Sequence, residues 1–307
     1  MTSSAWPPVD YEQWSATCDT LHAHTQVLGK LAVELPPPQP QLQHAALRLT
    51  PRGWETPPLP APDGAGSLLA ALDLRSHEAL VEHSDGREVR VALTPNRPVA
   101  DVTRDVLDAV ERLSGPVAIN PKPQEVWWEV PLDQDYEHTT YDPDQVAAYF
   151  IAASEAAGVL AEFRAPYRGR STPVNAWWGD FDLSVVLFSG RPADPPSDDF
   201  IIRNSADAEA FAFGWWPGDR RYGRAAFVSY LFPAPEALHD AELRPEQAHW
   251  DGDLGEFVLD WEDIRQEADP HGLALDFARS AFEHASSAGG WDSQLASSAL
   301  GVPPPIH

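Results

Sequence analysis

The sequence predicts an α+β protein of two packed halves, each an antiparallel sheet flanked by helices in the order helix, strands, helix. Three observations carry that expectation. Four segments place apolar residues at helical spacing, and runs between them alternate or pack apolar residues as strands do. A Pro-rich stretch from Pro116 to Asp135 falls between the two sets, dividing the chain into expected halves 1–134 and 135–307. No residue-level repeat relates the halves, so any duplication is a matter of topology alone.

The first helix begins at Asp10, with Gln13 three residues on as in a capping box, and carries Tyr11, Trp14, Cys18, Leu21 and Leu28 as its stripe. Strands follow at Leu68–Leu74 and Ala79–Glu82, and Ser84-Asp85-Gly86 signals a hairpin. A second helix follows Asp101, turns Val102, Val106, Val110 and Leu113 inward and stops at Gly115-Pro116. The third starts at Asp142-Pro143, where Asp caps and Pro suits the first turn. Val146, Tyr149, Phe150, Ala153, Ala157, Leu160 and Phe163 are then expected to face inward. Strands are expected at Leu183–Phe188, Ala210–Trp216, Ala225–Phe232 and Gly255–Asp260, with Trp216-Pro217-Gly218-Asp219 turning as type II. A second Asp-Pro pair, Asp269-Pro270, opens the last helix, which runs towards Gly289.

Composition narrows the function. In 307 residues, 47 acidic against 21 basic side chains leave a formal charge of −26, a field that repels nucleic acid and anionic membranes. The lone Cys18 excludes an intrachain disulfide and a cysteine-based metal cluster. No signal-like leader or uninterrupted apolar run of about 20 residues is seen, so a cytoplasmic protein is expected. No phosphate-binding loop, nucleophile elbow or zinc-protease helix occurs, and no cofactor is implied.

The tryptophans are more informative. Half of the 12 lie in the pairs 127–128, 177–178 and 215–216, which suggests an aromatic surface in a core or around a ligand. In NAWWGDFDLSVVLFSGR, a strand starting early would align Trp178, Asp180, Asp182 and Ser184 on one face, a tryptophan platform beside carboxylates. The plainer alternative, which the residues favour, is a solvent face with a turn at Gly179-Asp180. Asp180-x-Asp182 and His22-x-His24 have spacings met at metal sites, but helical residues two apart point to different sides, and no metal is expected. His22 could instead join Gln26 in a polar patch, satisfied by an internal hydrogen bond. His138 and Tyr141 precede the third helix, where a neutral imidazole near a phenol could transfer protons, or simply anchor the loop. Arg191 could clamp an anion or neutralise neighbouring carboxylates, and Glu256 is a further candidate acid.

Taken together, TLHAHTQVLGK, HTTYD, TPVNAWWGDFDL with FSGR, GWWPGD, AFVSYLFPAPE and LGEF resemble the bacterial domain-of-unknown-function family 5996, in order and over nearly the whole chain. The resemblance implies one family unit and no particular activity. It points to His22, Thr25 and Gln26, to His138, Tyr141 and Asp142, and to Trp178, Gly179, Asp182, Ser189 and Arg191. Trp216, Pro217, Gly218, Tyr230 and Glu256 complete the matching positions. The family pattern implied by the resemblance has Trp at the position of His24, His at Asn175 and a small residue at Asp180, which weakens both metal spacings. The expectation is a small-molecule-binding protein, with or without catalysis, whose ligand meets His22, Gln26, His138, Tyr141, Trp178, Asp182, Arg191, Trp216, Tyr230 and Glu256 in a pocket between the halves. The rival is an acidic interaction protein whose aromatics are only core.

Overall fold

The computed structural model describes residues 6–235 and 238–301. Its elements are those of an α+β protein: two antiparallel six-stranded sheets and, among the described residues, seven α-helices. Contacts divide the chain into two units, one of residues 11–150 with 176–182, the other of 1–10, 151–175 and 183–307.

The first unit opens with α1 (Tyr11–Glu34), whose residues from Thr17 to Ala32 are all buried. A helix covered on every side is a core element rather than an amphipathic surface one. Its sheet comprises β1 (Arg48–Leu49), β2 (Gly53–Glu55), β3 (Leu59–Pro60), β4 (Ser67–Asp73), β5 (Glu78–His83) and β6 (Glu88–Ala92). The strand order is β1-β2-β4-β5-β6, with β3 pairing β4. The expected strands at 68–74 and 79–82 are β4 and β5, and the Ser-Asp-Gly turn joins β5 to β6 in register Val81 to Val89. The tiny strands β1 to β3 lie in Pro- and Gly-broken sequence with no alternation to reveal them.

Helix α2 (Val99–Ser114) starts two residues before Asp101, correcting the expected boundary. Pro98 is its N-cap without a side-chain cap, and Asp101 is bonded instead by Arg104 at 2.9 Å. The first-turn amides find partners elsewhere: Val99 N–H donates to the carbonyl of His138 (3.1 Å) and Ala100 N–H to that of Asp135 (2.9 Å). Tertiary carbonyls can satisfy helix-start donors as a local cap does, and leave no trace in the local sequence. Helix α3 (Pro143–Arg164) begins as expected, with Asp142 Oδ1 accepting from the backbone of Asp144 (2.9 Å) and Gln145 (3.2 Å). It is the one described helix long and apolar enough to cross a membrane, yet Val146, Tyr149, Ala153, Ala156, Leu160 and Phe163 are buried, as in a core helix.

The second unit holds the other sheet, built from β7 (Asn175–Trp177), β8 (Asp182–Pro192), β9 (Ala208–Trp216), β10 (Ala226–Phe232), β11 (His249–Asp251) and β12 (Glu256–Asp260). Its order is β11-β12-β10-β9-β8-β7, with the chain leaving this unit after Asn175 of β7 and re-entering at Leu183 of β8. Short helix α4 (Phe200–Ser205) links β8 to β9, and α5 (Trp261–Ile264), α6 (Pro270–Ala288) and α7 (Ser293–Leu300) follow the sheet. Asp269 caps α6 through Gly272 N–H at 2.9 Å, as its Asp-Pro pair predicts. Gly218 has φ +89, as the third position of the expected turn requires, and a Cβ there would lie 2.7 Å from the backbone of Arg224. One sheet face is aromatic: Phe213 stands 5.3 Å from Phe163, 5.8 Å from Phe227 and 6.1 Å from Phe277, ring centre to ring centre. Trp6 stacks on Trp261 at 4.2 Å, and the Trp261 indole donates to Pro7 O at 2.8 Å.

Candidate functional site

The tryptophan-rich stretch departs from the expected continuous strand. Residues 178–181 form a turn between β7 and β8, and Phe181 has φ +59. Trp178 and Asp180 therefore do not share a strand face with Asp182 and Ser184. The turn at Gly179-Asp180 is real, but Trp178 is only 7% exposed, so the stretch is no solvent face either. Phe181, Leu183, Val185 and Leu187 are buried, as their alternation implied.

Helix α1 receives this turn. His22, Gln26, Gly29 and Lys30 lie at successive helical turns and so share a face. His22 Nε2 is 2.9 Å from both the Trp178 and the Gly179 carbonyls, so this nitrogen carries the hydrogen. Gln26 Nε2 donates to Gln124 O (2.8 Å) and Trp178 O (3.2 Å), while its Oε1 accepts from Gln124 N–H (3.0 Å). The indole of Trp178 lies so near the helix that a Cβ on Gly29 would fall 2.1 Å from its ring; only glycine permits that approach. Trp178 Nε1 donates to Ala45 O at 3.1 Å. Below the turn, Phe181 stacks on His22 (4.9 Å), Tyr149 (5.1 Å) and Trp54 (5.2 Å), and Trp54 Nε1 donates to the Tyr149 hydroxyl at 3.1 Å. Asp182 heads β8 with its charge acting on the Tyr149 phenol, whose pKa burial, first, and that charge raise well above the usual value.

Three of the sequence candidates, His22, Gln26 and Trp178, are thus in direct contact, and their polar atoms are engaged internally. His138 joins them through Trp128, whose ring is 4.7 Å from His138 and 5.6 Å from His22. His138 Nδ1 lies 2.7 Å from Asp135 Oδ2, and Asp135 is wholly buried. The other oxygen, Oδ1, accepts from the backbone N–H of Glu137 and His138, each at 3.0 Å. This carboxylate fixes Nδ1–H as the donor, which leaves Nε2 as the acceptor in the neutral ring. No described residue hydrogen-bonds that Nε2. Trp127 stands edge-on to the imidazole, 6.2 Å from it ring centre to ring centre, and is 52% exposed. Burial pulls the His138 pKa down, but the Asp135 bond and the charges of Asp135, Asp19 and Glu137 outweigh it, so it ends above the ordinary value.

His24, two residues beyond His22, faces elsewhere, as helical geometry requires. It is 2% exposed, its Nδ1 has no hydrogen-bond partner among the described residues, and its pKa is lowered to about 4 by burial, with Arg97 contributing. Tyr141 is buried with its hydroxyl 3.0 Å from His77 Nδ1, and burial raises its pKa. Among the described residues no group of three or more His, Cys, Asp or Glu is arranged to hold a metal ion.

The remaining candidates belong to the other unit. Arg191 has internal partners: its Nε is 2.6 Å from Glu209 and its Nη2 donates to Gly289 O at 2.6 Å, tying β8 and β9 to the end of α6. Trp216 meets Tyr222 edge-on at 5.8 Å, Tyr230 is 44% exposed, and Glu256 pairs across strands with Asp251. This unit also holds a buried acid that no sequence motif marks. Asp260 is 3% exposed, accepts from Tyr222 Oη at 2.7 Å and pairs with Arg224 at 2.5 Å; burial raises its pKa against both partners. Asp135 lies outside the family motifs, and Lys30 ends TLHAHTQVLGK with no neighbour in sequence to mark its burial. Asp135 makes an Asx-turn bond to the backbone two residues on, at Glu137, and a second to His138.

The fold and these polar groups define an acidic α+β protein with a carboxylate-oriented histidine beside exposed tryptophan. The chain belongs to the family described as Family of unknown function (DUF5996), whose profile matches residues 6–298. No curated protein and no solved structure matches it.

Proposed function

We propose that this protein binds a small organic molecule at His138, with Trp127 as an aromatic wall and the Asp135-held imidazole exchanging a proton with the ligand. One observation carries the reading: the imidazole is fixed through Nδ1 by a buried carboxylate, its Nε2 is bonded by no described residue, and an exposed indole adjoins the ring. The rest of the 135–138 loop has structural work, because its carbonyls at 135 and 138 hold the start of α2. The ring nitrogen Nε2 does not share in it. An imidazole that a buried carboxylate holds above its ordinary basicity suits proton exchange. The reading keeps the protein in the cytoplasm and apart from nucleic acid and membranes, in keeping with its charge of −26.

The test is NMR observation of the His138 Cε1–H resonance during a metabolite screen, with isotope-labelled histidine. A binding metabolite should shift that resonance and lose at least tenfold in affinity on His138→Gln and on Trp127→Ala. Hits that leave the resonance unmoved, or that bind both folded variants normally, defeat the reading. A second reading, an acidic interaction protein with a structural aromatic core, is favoured by the internal engagement of His22, Gln26 and Trp178. It expects capture of a basic partner and no small molecule at His138.

A further inference from the structure

Only two lysines occur in the chain, and Lys30 is the buried one, 4% exposed on α1. Its Nζ donates to the side-chain oxygen of Gln124 at 3.2 Å and lies 5.3 Å from the centre of the Trp178 ring. No carboxylate of the described residues comes within 4.0 Å of it. That is unexpected in a protein with 47 acidic side chains, because a buried ammonium kept for structure is stabilised chiefly by a counter-charge. Here the surroundings are an amide oxygen and an aromatic face. They hold the amine in place while burial draws its pKa down from 10.5 to about 8. Gln124 itself is only partly buried, in a segment where Lys122, Glu125 and Trp127 are exposed, so the amine lies one side chain beneath the surface. The absence of a side chain on Gly29 lets the indole lie flat against the helix as the floor under it.

We propose that Lys30 is a covalent-binding site for small carbonyl compounds, aldehydes in particular. The neutral amine adds its lone pair to the carbonyl carbon, forming the C–N bond as the C=O π electrons move to oxygen. Proton transfer from nitrogen to that oxygen gives the carbinolamine. Loss of the hydroxyl as water, with the second N–H proton, leaves the imine; no oxidant or reductant is required. Activation of lysine by desolvation beside apolar groups is the general route to such amines. At pH 7.5 an amine of pKa about 8 is unprotonated roughly 200-fold more often than an ordinary lysine.

The experiment is reductive trapping of the whole protein with propanal and cyanoborohydride at pH 7.5, read by peptide mass spectrometry. Lys122, exposed, is the internal reference. Propylation of Lys30 should run at least about tenfold faster than that of Lys122, with a rate that levels off above pH 8. Lys30→Met should abolish the fast label and leave that of Lys122 unchanged. Labelling of Lys122 first, or of Lys30 only after denaturation, would overturn the proposal; the outcome does not depend on whether any ligand binds at His138.

Discussion

Acid should destabilise this protein through His24, and the size of the effect follows from its burial. The ring is 2% exposed and titrates near 4 in the folded state against 6.5 for a free histidine. Between those values the unfolded chain takes up a proton that the folded chain refuses. The stabilisation is therefore complete above pH 6.5, declines as pH falls and is gone below about 4. At 1.36 kcal/mol per pH unit the full contribution is about 3 kcal/mol, of which about 2 kcal/mol is lost by pH 5. His138 works in the opposite sense, since its raised pKa adds stability as pH falls. The clean comparison is therefore wild type against His24→Leu, in which His138 and the carboxylates are common to both. Urea unfolding at pH 7, 5 and 4 should show the wild type losing about 3 kcal/mol more than the variant across the range. At pH 7 the variant should be nearly as stable, because leucine removes a buried Nδ1 that no described residue hydrogen-bonds, a burial costing about 1–3 kcal/mol. Parallel pH profiles for the two proteins would refute the argument.

Three further outcomes are expected. Gly29→Ala should unfold the first unit or cost several kcal/mol, because the new methyl would occupy the Trp178 ring; a thermal midpoint within a degree of wild type would contradict the packing. Asp142→Ala should cost about 1 kcal/mol by urea unfolding, since two amides at the start of α3 lose their acceptor, and no loss would show the cap to be idle. Asp135→Asn should lower the His138 pKa by removing the charge that sustains it, as read by histidine NMR; an unchanged titration would mean the pair does not interact.

What the sequence determined by itself was whatever local physics decides. The Asp-Pro pairs at 142 and 269 define helix starts because capping and proline geometry act within three residues. The strands β4, β5, β8, β9, β10 and β12 were legible because each is long enough to show its pattern. Even the polar patch of His22 and Gln26 could be read, since residues four apart on a helix meet. The tertiary structure alone decided what those groups face. That His22 and Gln26 serve the carbonyls of Trp178 and Gln124, more than ninety residues away, depends on how a turn packs on α1. The early start of α2 depends on carbonyls of the 135–138 loop, and the fate of Arg191 on Glu209. Whether Lys30 meets a carboxylate or an indole is likewise a long-range matter. Periodicity states which side of an element is buried, but the identity of the group waiting there is a property of the folded chain.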